Sequence, residues 1–128
     1  VFPGIIAISG SKFKDYNSAK DEINDLITVL AKQDLENYPL IIICDDEAFI
    51  AANINNFVWI TFTRSNPSHD IYGVKSFTEF KHWGCEGPLV IDGRIKPHHA
   101  PELVVDPAVS KRVDDFIQNE PSLKKLGI

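Results

Sequence analysis

Residues 38–44 read YPLIIIC, four consecutive aliphatic side chains and a cysteine bounded by Pro39 and by the acidic pair Asp45-Asp46. A run that is apolar at every position, rather than at every second one, is what a strand covered on both faces requires. Upstream, FPGIIAIS at 2–9 is a second short apolar run, followed by the polar turn SGSK at 9–12. Between the two runs, from Ser18 to Lys32, Ile23, Leu26, Ile27 and Leu30 recur at i, i+3, i+4 and i+7. This spacing predicts an amphipathic helix, with Asp21 and Glu22 in its first turn and Lys32 near its end to match the helix dipole. Strand, helix and strand at these separations form a βαβ unit, which implies a parallel sheet with a right-handed crossover.

Further along, IYGV at 71–74 and PLVIDG at 88–93 read as two more strands, the second ended by Asp92-Gly93. Asp106 and Pro107 supply an N-cap and a first-turn proline, and Val109, Val113, Phe116 and Ile117 recur at i, i+4, i+7 and i+8. The segment 53–65, NINNFVWITFTRS, is open between two readings. Its β-branched and aromatic residues favour a strand, while Asn53 as a cap and Ile54, Phe57, Val58 and Thr61 at helical spacing favour a helix. KPHHAPE at 96–102 reads as a proline-punctuated loop over the surface. With no repeat or linker, the expected architecture is one three-layer α/β domain spanning residues 1–128, with a mainly parallel sheet and flanking helices.

The 128 residues carry a net charge of −5, with 44% hydrophobic and 24% charged residues, as in an ordinary globular domain. That charge opposes nucleic-acid binding and membrane association, both of which draw affinity from clustered Lys and Arg. No apolar run approaches the roughly 20 residues of a bilayer span, and no signal-peptide layout is present. Two cysteines are too few for a disulfide framework, so a reducing, cytoplasmic setting is expected. The chain starts at Val1 and contains no methionine, from which a processed product or a piece of a longer protein is expected.

Several patterns invite a chemical reading. His82, Cys85, His98 and His99 can be written as a zinc set, but structural zinc ligands pair as C-x2-C or H-x3–5-H, and adjacent histidines point apart. No metal ligands are therefore assigned. Cys85 near His82 lacks the signature of a cysteine nucleophile, and SGSK lacks the spacing of a P-loop. LIIICDDEAF resembles the acidic strand end of a response-regulator receiver, yet the two βα units that family needs after its phosphoacceptor are missing beyond Asp92. In TRSNPSHD at 63–70, Arg64 and Asp70 flank a turn around Pro67, and an Arg-Asp pair pinning that loop is expected. Asp45, Asp46 and Asp92, all at strand ends, leave open a free-standing cation-binding or regulatory module.

The ordered set CDDEAF, VWITFTR, SNPSHD, LVIDGRIKP and a helix opened by Asp-Pro resembles the C-terminal domain of UbiD-type decarboxylases, the 3-octaprenyl-4-hydroxybenzoate carboxy-lyase family. FPGI is similar to that domain's opening strand, so the resemblance covers essentially the whole chain. It implies a helix over NNFVWITFTR. It also implies an oligomerisation and substrate-cleft domain of a carboxy-lyase acting on aromatic or α,β-unsaturated carboxylic acids. In such enzymes prenylated FMN and a divalent metal are held by a preceding flavin-binding domain, which carries the catalytic Arg and Glu. On that resemblance no catalytic residue lies in this chain, the chain alone binds no cofactor and is inactive, and its partners are its own flavin-binding domain, further copies of itself and a small carboxylic acid. The lysine that family members place before the LVIDG-like strand corresponds to Pro88, which directs attention to Lys81, His82 and Trp83 as cleft residues. Arg64, Pro67, Asp70 and Asp92 are read as structural members of the motif.

Overall fold

The computed structural model describes residues 2–100 and 104–124. Its elements are β1 (Ile5–Ser9), α1 (Tyr16–Leu30), β2 (Leu40–Cys44), α2 (Glu47–Ala52), α3 (Ile54–Arg64), β3 (Ile71–Gly73), β4 (Ser76–Glu79), β5 (His82–Cys85), β6 (Leu89–Asp92), α4 (Pro107–Asn119) and α5 (Pro121–Lys124). The main sheet has the order β1-β2-β6-β3. β1, β2 and β6 run parallel, and β3 is antiparallel to β6.

The gapless apolar run of β2 is explained by what lies above and below it. Ile41 and Ile43 face Ile23 and Leu30 of α1 in one core cluster. Ile42 and Cys44 face Ile50 of α2 and Phe57 and Ile60 of α3 in the other. The fold is thus α/β in three layers, with helices on both faces of a mainly parallel sheet. Each fully buried aliphatic side chain contributes about 1.5–3 kcal/mol of burial free energy, so the β2 run supplies a large share of the core.

The helix boundaries sharpen the sequence reading and in part correct it. Asp15 is the N-cap of α1, its Oδ1 accepting the Asn17 and Ser18 N–H groups at 2.9 Å each. The helix therefore starts two residues before Ser18, Asp21 and Glu22 fall beyond its first turn, and Lys32 lies past its end. The dipole is matched by the capping carboxylate instead. The ambiguous segment 53–65 is a helix, with Asn53 Oδ1 accepting the Asn56 N–H at 2.9 Å. Phe57, Ile60 and Thr61 face inward, while Ile54 and Val58 are half-exposed.

Four elements, α2, β4, β5 and the short α5, were not expected. α2 is a single short turn and a half capped by Asp46, whose Oδ1 accepts the Phe49 N–H at 2.9 Å. β4 and β5 form a two-stranded arm in the stretch between IYGV and PLVIDG, to which the sequence analysis assigned no element. Its turn holds Phe80 at φ 49° and Lys81 at φ 66°, consecutive left-handed residues of the kind a two-residue hairpin usually fills with Asn-Gly. Left-handed backbone costs a non-glycine residue about 1–2 kcal/mol. The Phe80 ring is 86% exposed and returns little of that cost by packing. The double substitution Phe80→Asn with Lys81→Gly should accordingly stabilise the fold by about 1–2 kcal/mol, read as a higher urea midpoint. An unchanged or lower midpoint would show that the turn is not strained.

Candidate functional site

In open α/β sheets ligands usually bind outside the carboxyl ends of the parallel strands. In this chain the segment leaving β6 fills the part of that place beside β6. Asp92, Arg94 and Lys96 stand at every second position where the chain leaves β6, and they are 1%, 1% and 2% exposed. Arg94 grips Asp92 in bidentate fashion, Nε to Oδ1 and Nη2 to Oδ2, both at 2.9 Å. Its Nη1 donates to the Ser11 carbonyl at 3.0 Å and to Glu22 of α1. Burial works against the Arg94 charge, but the bonds to Asp92 and Glu22 outweigh it and raise the guanidinium above its ordinary pKa. For Glu22 burial likewise opposes ionisation, and the Arg94 bond overcomes it to lower the carboxyl.

Lys96 Nζ donates to the carbonyls of Arg64 and Asp92 at 3.0 Å each and lies 3.4 Å from Asp70 Oδ1. Asp70 Oδ2 also accepts the Asn66 N–H at 2.6 Å, closing the 66–70 turn that contains the exposed Pro67. The turn is therefore pinned by Lys96, not by Arg64 as the local sequence suggested. Arg64 reaches back to Asp45 at the end of β2, Nη1 to Oδ2 at 3.2 Å, and stacks over Trp59 at 5.4 Å. The same Asp45 Oδ2 accepts the Ile95 N–H at 2.7 Å. Of the predicted surface loop 96–102, Pro97, His98 and Ala100 are exposed as expected and Lys96 is buried, while residues 101 and 102 lie outside the described residues.

Each strand-end acid is consequently committed. Asp92 is clamped by Arg94, Asp45 by Arg64 and Ile95, and Asp46 caps α2. Among the described residues no group of three or more His, Cys, Asp or Glu is placed to hold a metal ion. These donors do not fit a divalent cation with a flavin phosphate. Cys44, at the base of a cleft of about 430 Å³ walled by Phe49 and Trp59, has its thiol pushed up to about 11 by burial, which makes it a packing group rather than a nucleophile.

His98 and His99 lie ring to ring at 4.6 Å, with Tyr16 stacked on His98 at 6.5 Å. His99 Nδ1 accepts the Lys96 N–H at 3.1 Å, which requires an unprotonated nitrogen there. Burial, then the neighbouring His98, Lys96 and Arg64, lower its pKa from 6.5. A lowered folded pKa means the unfolded chain takes up the proton first. Stability is therefore full above pH 6.5 and falls as the pH drops from there through the folded-state value. Urea midpoints should decrease over that window, and a His99→Asn variant, which keeps an acceptor without titrating, should flatten the decrease.

Lys81, His82 and Trp83 sit elsewhere. Gly73 of β3 stands opposite Leu89, so the β4–β5 arm leaves the sheet at the amino end of β6, away from Asp92. All three side chains are exposed, together with Phe77 and Phe80. The arm is seated on Gly73, where an added Cβ would come within 2.5 Å of Cys85 Cβ and 3.1 Å of the Trp83 ring. The sequence reading thus placed its residues in two groups at opposite ends of the sheet. It missed Arg94, Lys96, Glu22 and Phe80, although the alternation Asp92, Arg94, Lys96 was a usable signal for the first two.

No protein-family model matches the chain. Over 88 residues, 69% of the chain, it is 32% identical to a protein of Chlamydia pneumoniae named as a 4-hydroxybenzoate decarboxylase subunit. This similarity supports a relationship to the UbiD-related decarboxylases. A second relative, an uncharacterized protein of Chlamydia muridarum, is 28% identical over 85 residues, 66% of the chain. The chain spans 15% of the length of each. Among solved structures, the open form of the Sedimentibacter hydroxybenzoicus vanillic acid decarboxylase aligns with 91% of this chain and 27% of its own, at 15% identity and a TM-score of 0.47. No helix among the described residues is long and apolar enough to cross a membrane.

Proposed function

We propose that the chain is the C-terminal, oligomerisation and substrate-cleft domain of a cytoplasmic UbiD-like carboxy-lyase acting on an aromatic or α,β-unsaturated carboxylic acid. The observation that carries this reading is the 32% identity with a protein named as part of a decarboxylase. The catalytic acid-base residues, the prenylated FMN and its divalent metal belong to a flavin-binding domain outside this sequence. The structural partners of Asp45, Asp46 and Asp92 support a scaffold role for these three acids. The exposed arm, with Lys81, His82 and Trp83, is the part offered to that partner and to the substrate. Arg64, Pro67, Asp70 and Asp92 hold the scaffold behind it.

The chain alone, supplied with prenylated FMN and 4-hydroxybenzoate or vanillate, should release no carbon dioxide. Turnover by these 128 residues would overturn the assignment of catalysis to another domain. The cation-module reading predicts instead heat of binding with Mg²⁺ or Mn²⁺ that is lost in Asp46→Asn, and the capping role of Asp46 argues against it.

A further inference from the structure

Beside the carboxyl end of β2 a cleft of about 430 Å³ opens, with Cys44 at its base, Phe49 of α2 and Trp59 of α3 as walls, and Asp45, Asp46 and Arg64 in its lining. Its volume lies in the range of small-molecule sites. Its place in the fold is also the usual one. α1 follows β1 over the face that carries Ile41 and Ile43, whereas α2 and α3 follow β2 over the face that carries Ile42 and Cys44. The two connections therefore part beside the end of β2, and ligands of open α/β sheets bind where neighbouring connections part in this way.

The lining restricts what fits. Phe49 and Trp59 are 43% and 42% exposed, so each presents ring surface to a guest. The charge of the cleft is negative. Arg64 is the one cation in its lining and is engaged within the chain, with Nη1 3.2 Å from Asp45 Oδ2 and the guanidinium 5.4 Å over the Trp59 ring. Asp46 has no such counter-charge among the described residues. Its Oδ1 accepts the Phe49 N–H at 2.9 Å, and its other oxygen accepts no bond from a described residue. Glu47 stands next to it as a third acid. Burial is the main cause of the raised Cys44 thiol, and the charges of Glu47, Asp45 and Asp46 push it in the same direction. A group at the base of the cleft therefore feels a field that opposes negative charge.

We propose that this cleft binds a small aromatic amine as its ammonium cation, with the ring against Phe49 and Trp59 and the charge on the Asp46 carboxylate. An ammonium suits the site where a divalent metal does not, because it needs one carboxylate and ring faces rather than several oxygen ligands. A carboxylate of the same shape would meet Asp45 and Asp46 and be repelled. The ligand is thus distinct from the acid substrate of the proposed decarboxylase, and the inference stands or falls independently of that reading.

Three probes that share a phenol ring test it by their charge: tyramine is the cation, 4-ethylphenol is neutral and 3-(4-hydroxyphenyl)propionate is the anion. Each is titrated into the chain near neutral pH while the indole N–H signals of the two tryptophans are followed by NMR, with Trp83→Phe assigning them. Trp83, on the arm at the other end of the sheet, is the internal control. Tyramine should shift the Trp59 signal saturably and leave Trp83 in place. It should bind about fivefold or more tightly than 4-ethylphenol, with the anion weakest. Asp46→Asn keeps a capping oxygen for α2 while removing the charge, so circular dichroism should not change. In that variant tyramine should fall to the affinity of 4-ethylphenol, whose own binding should be unaltered. The charge series on the wild type is decisive without any variant. Equal binding of the three probes, or equal binding of tyramine by wild type and Asp46→Asn, reduces the cleft to an apolar groove and overturns the inference. Tighter binding of the anion, or a Trp59 signal that tyramine does not move, overturns it as well.

Discussion

Replacing Arg94 by methionine should cost about 3–5 kcal/mol of folding stability, a large part of the roughly 5–15 kcal/mol available to a domain. The cost does not come from the loss of a favourable ion pair as such. Asp92 is 1% exposed, and both of its carboxylate oxygens accept from Arg94 at 2.9 Å. Without the guanidinium a carboxylate is left in the interior with its main partner gone, and Glu22 and the Ser11 carbonyl lose theirs. Adding Asp92→Leu to Arg94→Met should return much of the loss, because an apolar pair of similar volume needs no solvation. Urea denaturation of the single and double variants separates the two cases. Equal destabilisation by both would mean that Arg94 acts through packing on Phe13, which lies 5.9 Å below its guanidinium, rather than through the acids.

Ile41→Ala should be of comparable size, about 2–5 kcal/mol, for a different reason. Ile41 is fully buried in the middle strand, with Ile6 of β1 and Val90 of β6 as its register neighbours, and belongs to the cluster containing Ile23 and Leu30 of α1. Truncation there removes buried methylene groups and leaves a cavity walled by two strands and a helix that cannot easily collapse. Val29→Ala, on the outer side of α1 where Val29 is 55% exposed, should change stability by no more than about 0.5 kcal/mol. Unfolding midpoints that fail to separate these two substitutions would contradict the placement of α1 on the Ile41 face.

How far the sequence could be read depended on whether local spacing or distant contact determined each feature. The β2 run was legible because burial on two faces leaves no polar position. α4 was legible because Asp106 and Pro107 announce its start. α2 escaped notice because six residues are too few to show a helical period. The β4–β5 arm escaped because Phe80 and Lys81 are among the least expected residues for a left-handed turn. Arg64 and Asp70 were paired on their closeness along the chain, whereas the sheet delivers Asp45 to one and Lys96 to the other. The helix over 53–65 could not be chosen by pattern, since its aromatic and β-branched residues suit either element, and it was the family resemblance that favoured it.

The arrangement of the charges bears on function in one way. A buried Asp92–Arg94–Glu22 chain and a Lys96–Asp70 pair occupy the carboxyl end of β6, while a cleft remains beside the end of β2 at Cys44, Asp45 and Asp46. At the opposite end of the sheet, on the arm, backbone strain and exposed aromatic side chains coincide. Strain of this kind persists where the residues that cause it have a use.

The most direct test of this account is carbon dioxide release from 4-hydroxybenzoate by the Chlamydia pneumoniae decarboxylase after this chain replaces the region it matches in that protein. The account predicts an active hybrid whose activity is lost when Lys81, His82 and Trp83 are changed to alanine, with its folding unaffected. A folded hybrid that is inactive, or one whose activity is indifferent to those three residues, would contradict it.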